Sequence, residues 1–242
     1  MKVAILTTET LHHAYFIKSL LEIGIDLRVF IETQPRCTPT FKSWHRYEDH
    51  RDIYESDLWF NSQESIKISN FTNPHSFISL NEQPAVKAIS EYNADLGIVF
   101  GTSILKKKII EAGPKHLLNL HGGDPQGYRG LDSHLWAIYH NDYKSIITTL
   151  HYIDHGLDTG PIVMQSQIQM NKDLRLHKLR SVNTELCLEM AKLAIHSLDK
   201  SRWLPSIAQH RKGRYYSSMP AELKDQCVIK LRNYVNSSEN YA

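Results

Sequence analysis

The opening of the chain constrains its fold most. Lys2 to Thr7 is an apolar, β-rich run. Phe16, Leu20, Leu21 and Ile23 then recur at helical spacing, Gly24 closes that stretch, and Asp26 to Glu32 (DLRVFIE) is a second β-rich run. Strand, helix and strand in so short a span make a βαβ unit, and the two strands are then parallel neighbours. Thr7, Thr8 and Thr10 can cap the helix. The first turn carries no G-x-G-x-x-G, so the dinucleotide fingerprint is absent.

The alternation resumes after residue 80. Gln83 to Tyr92 predicts a helix, Asp95 to Gly101 (DLGIVFG) a short buried strand, and Ile104 to Ala112 a basic-faced helix stopped by Gly113-Pro114. Leu117 to His121 is a further strand and Leu131 to His140 a helix, with Trp136 expected in its core face. Ile146 to Ile153 and Pro161 to Met170 alternate as an antiparallel pair around the turn DHGLDTG. Leu174 to Leu198 has a strong helical pattern, with Cys187 on its apolar side. The expected fold is therefore α/β: a Rossmann-like, mostly parallel sheet flanked by helices. Residues 34–80 read as irregular, a polar helix and loops over the sheet edge. Residues 1–200 read as the main domain. Residues 201–242 read as a short C-terminal extension that braces the core or a dimer interface, with Gly213 to Tyr216 as a strand or turn and NSSENYA as a frayed end.

Composition removes several function classes. Lysine and arginine exceed aspartate and glutamate by only two, 28 against 26. That balance does not suit nucleic-acid binding by bulk electrostatics. No apolar run approaches the roughly 20 residues of a membrane helix, and the N-terminus turns polar too soon for a signal peptide. Cys37, Cys187 and Cys227 lie far apart with no paired spacing, which excludes a disulfide framework or a four-cysteine zinc site. A cytoplasmic protein without a metal is expected.

The densest polar signal is Leu118 to Gly130, LNLHGGDPQGYRG. Asn119 and His121 are one residue apart at the end of a strand, so their side chains leave the same face. Thirty-seven residues after His121 comes Asp158, within the glycine-bracketed loop GLDTGP. An amide, an imidazole and a carboxylate at one point suit acyl transfer to an amine: a donor polarises the carbonyl and a base removes the amine proton. A free aspartate has a pKa near ~3.9 and is a poor base unless burial raises it, whereas histidine near ~6.5 is better matched. An Asp158–His121 pair is therefore favoured over Asp158 alone. Any one of these residues is a weak signal, in a chain with 14 histidines.

Taken together, Asn119-x-His121, Tyr128-Arg129-Gly130 and Asp158-Thr159-Gly160-Pro161-Ile162 resemble the folate-dependent formyltransferase family. The resemblance runs over residues 1–200 in element order and is sharpest from 94 to 165. It implies 10-formyltetrahydrofolate as formyl donor and no metal. It implies that Asn119 bonds the formyl oxygen, that His121 donates to the oxyanion or acts as base, and that Asp158 orients His121 and helps move the proton. His151 would support that loop. The pterin would lie near Phe100, Gly101, Ser103 and Leu105, and near Ile153, His155 and Gly156.

The acceptor is read from the branch resembled. A complete RNA-binding domain, as in methionyl-tRNA formyltransferases, is not expected in the residues after the long helix. The first turn, Thr7-Thr8-Glu9-Thr10, lacks the glycine-rich phosphate loop of the glycinamide ribonucleotide enzymes. The run His121 to Gly130 and the tail Tyr215 to Pro220 look closer to the nucleotide-sugar N-formyltransferases, and Leu118 to Asp142 resembles GDP-perosamine N-formyltransferases. The implied acceptor is a nucleotide-linked 4-amino-4,6-dideoxy sugar used in surface polysaccharide (O-antigen). GDP-perosamine leads and a dTDP-linked 4-amino sugar follows. A formyltetrahydrofolate hydrolase and a non-catalytic folate- or nucleotide-binding module are the alternatives. A homodimer is also implied. Candidates to stack a base or neutralise a diphosphate are His12, His13, Lys42, Trp44, Arg46, Tyr47, Arg51, Trp59 and Arg129. The Lys106-Lys107-Lys108 run reads as a solvated helix face.

Overall fold

The computed structural model describes residues 1–34 and 39–237, so Cys37 and residues 238–242 lie outside it. Its strands, numbered along the chain, are β1 (Lys2–Thr8), β2 (Asp26–Glu32), β3 (His75–Phe77), β4 (Leu96–Phe100), β5 (His116–His121), β6 (Tyr128–Gly130), β7 (Ile147–Tyr152), β8 (Ile162–Gln167) and β9 (Arg214–Tyr216). Seven of them form one sheet in the order β3-β2-β1-β4-β5-β7-β8. β1 to β5 pair in parallel, and β7 and β8 close the sheet antiparallel. From β1 the chain winds outward to β2 and β3, then returns to place β4 on the other side. The reversal between β1 and β4 opens a crevice at the carboxyl ends of these strands, where ligands of such sheets bind.

Helices cover both faces, so the central strands are apolar throughout: all five residues of β4 are buried. On one face α1 (Leu11–Leu21) and α6 (Leu179–Ser201) bring Phe16, Leu20, Cys187, Ala191 and Ile195 against Ile5, Ile98 and Leu118. On the other, α3 (Gln83–Tyr92) and α4 (Lys107–Ala112) bring Val86, Ile89 and Ile109 against Leu6, Phe30 and Val99. α1 starts where Thr10 Oγ1 accepts from the His13 amide, 3.4 Å away. Gly24 follows it at φ +70°.

The structure corrects the sequence reading at four places. The stretch 34–80 holds the polar helix expected there, α2 (Tyr47–Phe60), but also a 3-10 turn at Ile68–Asn70 and the strand β3 where only loops were expected. α2 is mostly polar because its anchor is ionic: the fully buried Glu55 meets Arg180 of α6. The C-terminal extension holds a helix that the sequence reading did not give, and the end expected to be frayed lies, beyond Ser237, outside the described residues. Ala221–Ser237 form α7, which packs Cys227, Leu231 and Val235 against α5 (Ser133–Tyr139) together with Tyr128, Ile146 and Met219. α4 begins at Lys107 rather than Ile104, because Asn81 bonds both the Ile104 carbonyl (3.0 Å) and the Lys106 amide (2.7 Å) and holds that loop extended. Trp136 is only partly buried: its ring stacks on Tyr216 and its Nε1 donates to the Ser217 carbonyl.

Residues after 201 are thus built into the apolar cluster around β6. Leu231→Ala should lower stability by about 2–5 kcal/mol, as for other buried leucines, measured by chemical denaturation. A loss typical of a surface substitution would show that α7 does not carry this cluster.

Candidate active site

β5 and β7 run antiparallel in a register that sets Asn119 opposite His151. Asn119 Nδ2 lies 3.1 Å from His151 Nε2 and 3.4 Å from Asp158 Oδ1. His151 Nδ1 is 2.7 Å from the Tyr152 carbonyl, which can only accept. The ring proton therefore sits on Nδ1, and Nε2 accepts from the Asn119 amide. The same reasoning fixes His121. Its Nε2 is 2.9 Å from the Tyr128 carbonyl, so Nε2 donates and Nδ1 carries the lone pair. That Nδ1 faces Asp158 Oδ2 at 3.8 Å.

Asp158 is the hub. Its Oδ2 accepts from the Gly130 amide at 2.8 Å, and its Oδ1 lies 3.7 Å from His151 Nε2. Burial pushes its carboxyl up, but the positive charge of His121 and His151 in their protonated forms, the bond that protonated His151 then donates and the Gly130 N–H outweigh burial and hold its pKa at about 2. Its backbone is left-handed, φ +52°, a conformation that costs energy for a residue with a side chain. The loop around it is pinned throughout. Gly156 N (2.9 Å) and Thr159 Oγ1 (2.7 Å) bond Asp154, and Gln209 Nε2 reaches the carbonyls of Asp158 (3.0 Å) and Gly160 (2.8 Å). Any Cβ at Gly160 would overlap the Tyr152 carbonyl, so only glycine fits there. Behind the site, burial lowers the pKa of His134 to about 4, and this neutral ring donates to the Ile147 carbonyl.

The two segments expected to hold a pterin meet. Leu105 and Ile153 share one apolar cluster, and the Ile153 N–H donates to the Leu117 carbonyl of β5. Phe100 is buried on the other face of the sheet, in the cluster of α1, against His12 and His13, with ring centroids 5.5 and 4.6 Å away. His12 also meets Thr10 and His13 meets the Thr8 carbonyl, so both histidines are built into the end of β1. Gly101 turns at φ +82°. The backbone of Ser103 is fixed from below by buried Glu32, which accepts from Ser103 N and Oγ, both at 2.7 Å, and from Ser79 Oγ and Leu80 N. His155 and Gly156 are exposed on the opposite lip. An apolar floor and a rigid run of backbone suit a flat heterocycle that needs main-chain partners.

Other expected residues lie elsewhere or have other work. Arg129 is buried and donates to the Gly213 carbonyl (2.6 Å) and the Leu157 carbonyl (2.8 Å); it ties the catalytic loops together. Trp59 stacks on Tyr15 and donates to Glu185. Glu9 accepts from the Ile68 amide at 2.9 Å. Arg46 and Tyr47 line a separate cavity, and Trp44 is half exposed beside Lys42.

The segment at Gly213 to Tyr216, expected as a strand or turn, pairs beside the site. Parallel pairing of β6 with β9 sets Tyr215 and Tyr216 opposite Arg129 and Gly130, and His210 N bonds Gln126. Between Asp199 and Glu222 the sequence has no acidic residue, and Arg211, Lys212, Arg214 and Tyr215 of that stretch are exposed. Glu32 and Gln209 were not singled out; a carboxylate ending a buried strand was the one available signal for Glu32.

On this α/β fold an amide, two imidazoles and an ionised carboxylate converge around the end of β5. The formyl transferase family pattern matches residues 59–186, more than half of the chain, and the protein belongs to that family. Among curated relatives, the chain is 34% identical to the methionyl-tRNA formyltransferase of Thermodesulfovibrio yellowstonii over 119 residues, 48% of this chain and 37% of that protein. It is 26% identical to that of Clostridium novyi over 68% of this chain and 53% of that protein. The chain therefore spans about half or less of the length of these relatives. Its fold is similar to that of a sugar N-formyltransferase from a Shewanella species (TM-score 0.62, 13% identity, covering 96% of this chain and 88% of that one). It is also similar to a sugar 3N-formyltransferase solved in the presence of dTDP and 5-N-formyl-THF (TM-score 0.61, 17% identity, 96% and 79%). Among the described residues no helix is long and apolar enough to cross a membrane.

Glu32→Gln should leave the protein folded and loosen the Gly101–Leu105 turn. Hydrogen exchange at the Ser103 amide should then speed up while exchange in β4 does not. Unchanged Ser103 protection would show that Glu32 does not hold the turn.

Proposed function

We propose that the protein moves a formyl group from 10-formyltetrahydrofolate to the 4-amino group of a nucleotide-linked 4-amino-4,6-dideoxy sugar, in the making of surface polysaccharide such as O-antigen. GDP-perosamine is the leading acceptor and a dTDP-linked 4-amino sugar the second. The observation that carries this reading is the convergence of Asn119, His121 and Asp158, with the carboxylate held ionised. The folate supplies an activated formyl carbonyl, and the segments Phe100–Leu105 and Ile153–Gly156 would hold it.

Each residue then has one task. Asn119 donates from Nδ2 to the carbonyl oxygen under attack; its longer contact, to Asp158, is the one that yields. His121 takes the amine proton on Nδ1, the nitrogen that the Tyr128 carbonyl leaves unused, and would return it to N10 as the bond from the formyl carbon to N10 breaks and tetrahydrofolate leaves. Asp158, held at about 2, is too weak a base to take that proton itself. It remains charged and stabilises the imidazolium. His151 holds the Asn119 amide in its donating orientation. The cationic strap of Arg211, Lys212 and Arg214, tied to the catalytic loops, favours an acceptor that carries phosphate.

A second reading has its own support. The curated relatives named above are methionyl-tRNA formyltransferases, which makes an aminoacyl-tRNA amine the competing acceptor.

The test is transfer from 10-formyltetrahydrofolate to GDP-perosamine, a dTDP-linked 4-amino sugar, methionyl-tRNA and water, followed by mass spectrometry. Formylation of an amino sugar is expected. Formylation of methionyl-tRNA alone, or donor hydrolysis alone, would overturn the reading. Asn119→Ala should lower kcat by about 10²–10³-fold, with donor binding kept.

A further inference from the structure

A cavity of about 530 Å³ opens between the start of α2, the turn at Leu176–Lys178 and α7. None of its lining residues belongs to the Asn119–His121–Asp158 centre or to the two pterin segments. Arg46, Arg175 and Arg232 border it, together with three histidines, among them His50 and His177. The single carboxylate in the lining, Asp225, is already bonded to His45 Nε2 at 2.8 Å. Among the described residues no carboxylate pairs with any of the three arginines. Arg175 is held in place by the carbonyls of Lys172 and Leu174.

Three guanidinium groups border one space whose lining holds a single carboxylate, Asp225, so positive charge is in excess there. An anion in the cavity would offset it. Guanidinium groups bind phosphate oxygens in pairs, with geometry that a lysine cannot match. The volume lies within the range of nucleotide-sized sites, roughly 300–1,000 Å³. Tyr47, Leu176 and Val228 supply an apolar wall on which a planar base can rest.

We propose that this cavity is a second ligand site, separate from the transfer centre, that takes a nucleoside diphosphate through its phosphates. The inference does not depend on which amine is formylated.

Calorimetric titration of the whole chain with inorganic pyrophosphate and with GDP, at low ionic strength, tests it. Three proteins are compared: the wild type, the cavity variant Arg46→Gln/Arg232→Gln, and the strap variant Arg211→Gln/Lys212→Gln. Arg46 and Arg232 are exposed, so the cavity variant should melt like the wild type. Pyrophosphate should bind the wild type and the strap variant, and should weaken by about tenfold or more in the cavity variant. GDP should bind this site more tightly than pyrophosphate because of the apolar wall. No pyrophosphate binding to the wild type, or equal binding by the cavity variant, would overturn the site. Equal affinity for GDP and pyrophosphate would overturn its assignment to a nucleotide.

Discussion

A carboxylate removed from water stays ionised only where its surroundings replace the lost hydration, and the polar cluster at the end of β5 is built around one such group. Asp158 has the Gly130 amide on one oxygen and His121 and His151 on either side. These interactions outweigh burial, which alone would favour the neutral acid. They also hold a left-handed backbone at a residue that is not glycine. Asp154 and Gln209 bond to the same loop from both ends, so the strain is confined by its neighbours. The same carboxylate faces His121 Nδ1 at 3.8 Å, the ring nitrogen that the Tyr128 carbonyl leaves unused.

The sheet delivers the parts to this point. Parallel pairing of β4 with β5 carries Phe100 and Asn119 to the same edge, and the antiparallel return of β7 brings His151 opposite Asn119. The reversal of winding between β1 and β4 leaves that edge open. Glu32, at the end of β2, then stiffens the Ser103 turn from beneath. Arg129 draws the 157 and 213 carbonyls together, so the catalytic loops and the C-terminal strap form one piece.

The parallel core was legible because its signal is local. The helix at Gln83–Tyr92 and the strand at Asp26–Glu32 have the bounds that hydrophobic spacing predicts, since both bury an apolar stripe. α2 was legible only as a polar helix without bounds, and α7 was not legible, for the opposite reason. α2 is anchored through Glu55 and Arg180, residues 125 positions apart, and α7 buries Cys227, Leu231 and Val235 among many polar residues. The motif residues Asn119, His121 and Asp158 were readable as a pattern, and the structure brings them together. Glu32 and Gln209 act through contacts made only after folding, and their positions in the sequence carry no periodic or motif signal.

Whether Asp158 is held ionised in the folded protein decides the account. Its folded pKa lies below that of the unfolded chain, so its ionisation adds stability that is fully present above the unfolded value near ~4 and is lost as pH falls towards 2. The measurement is the unfolding free energy of wild type and Asp158→Asn from neutral pH down to acid. The predicted result is a pH-dependent part of the difference, about 2 kcal/mol, that disappears between about pH 4 and pH 2. A difference flat across that range, or one that titrates above about pH 5, would mean that Asp158 is protonated or unpaired in the native state, and the assignment of the proton to His121 would be wrong.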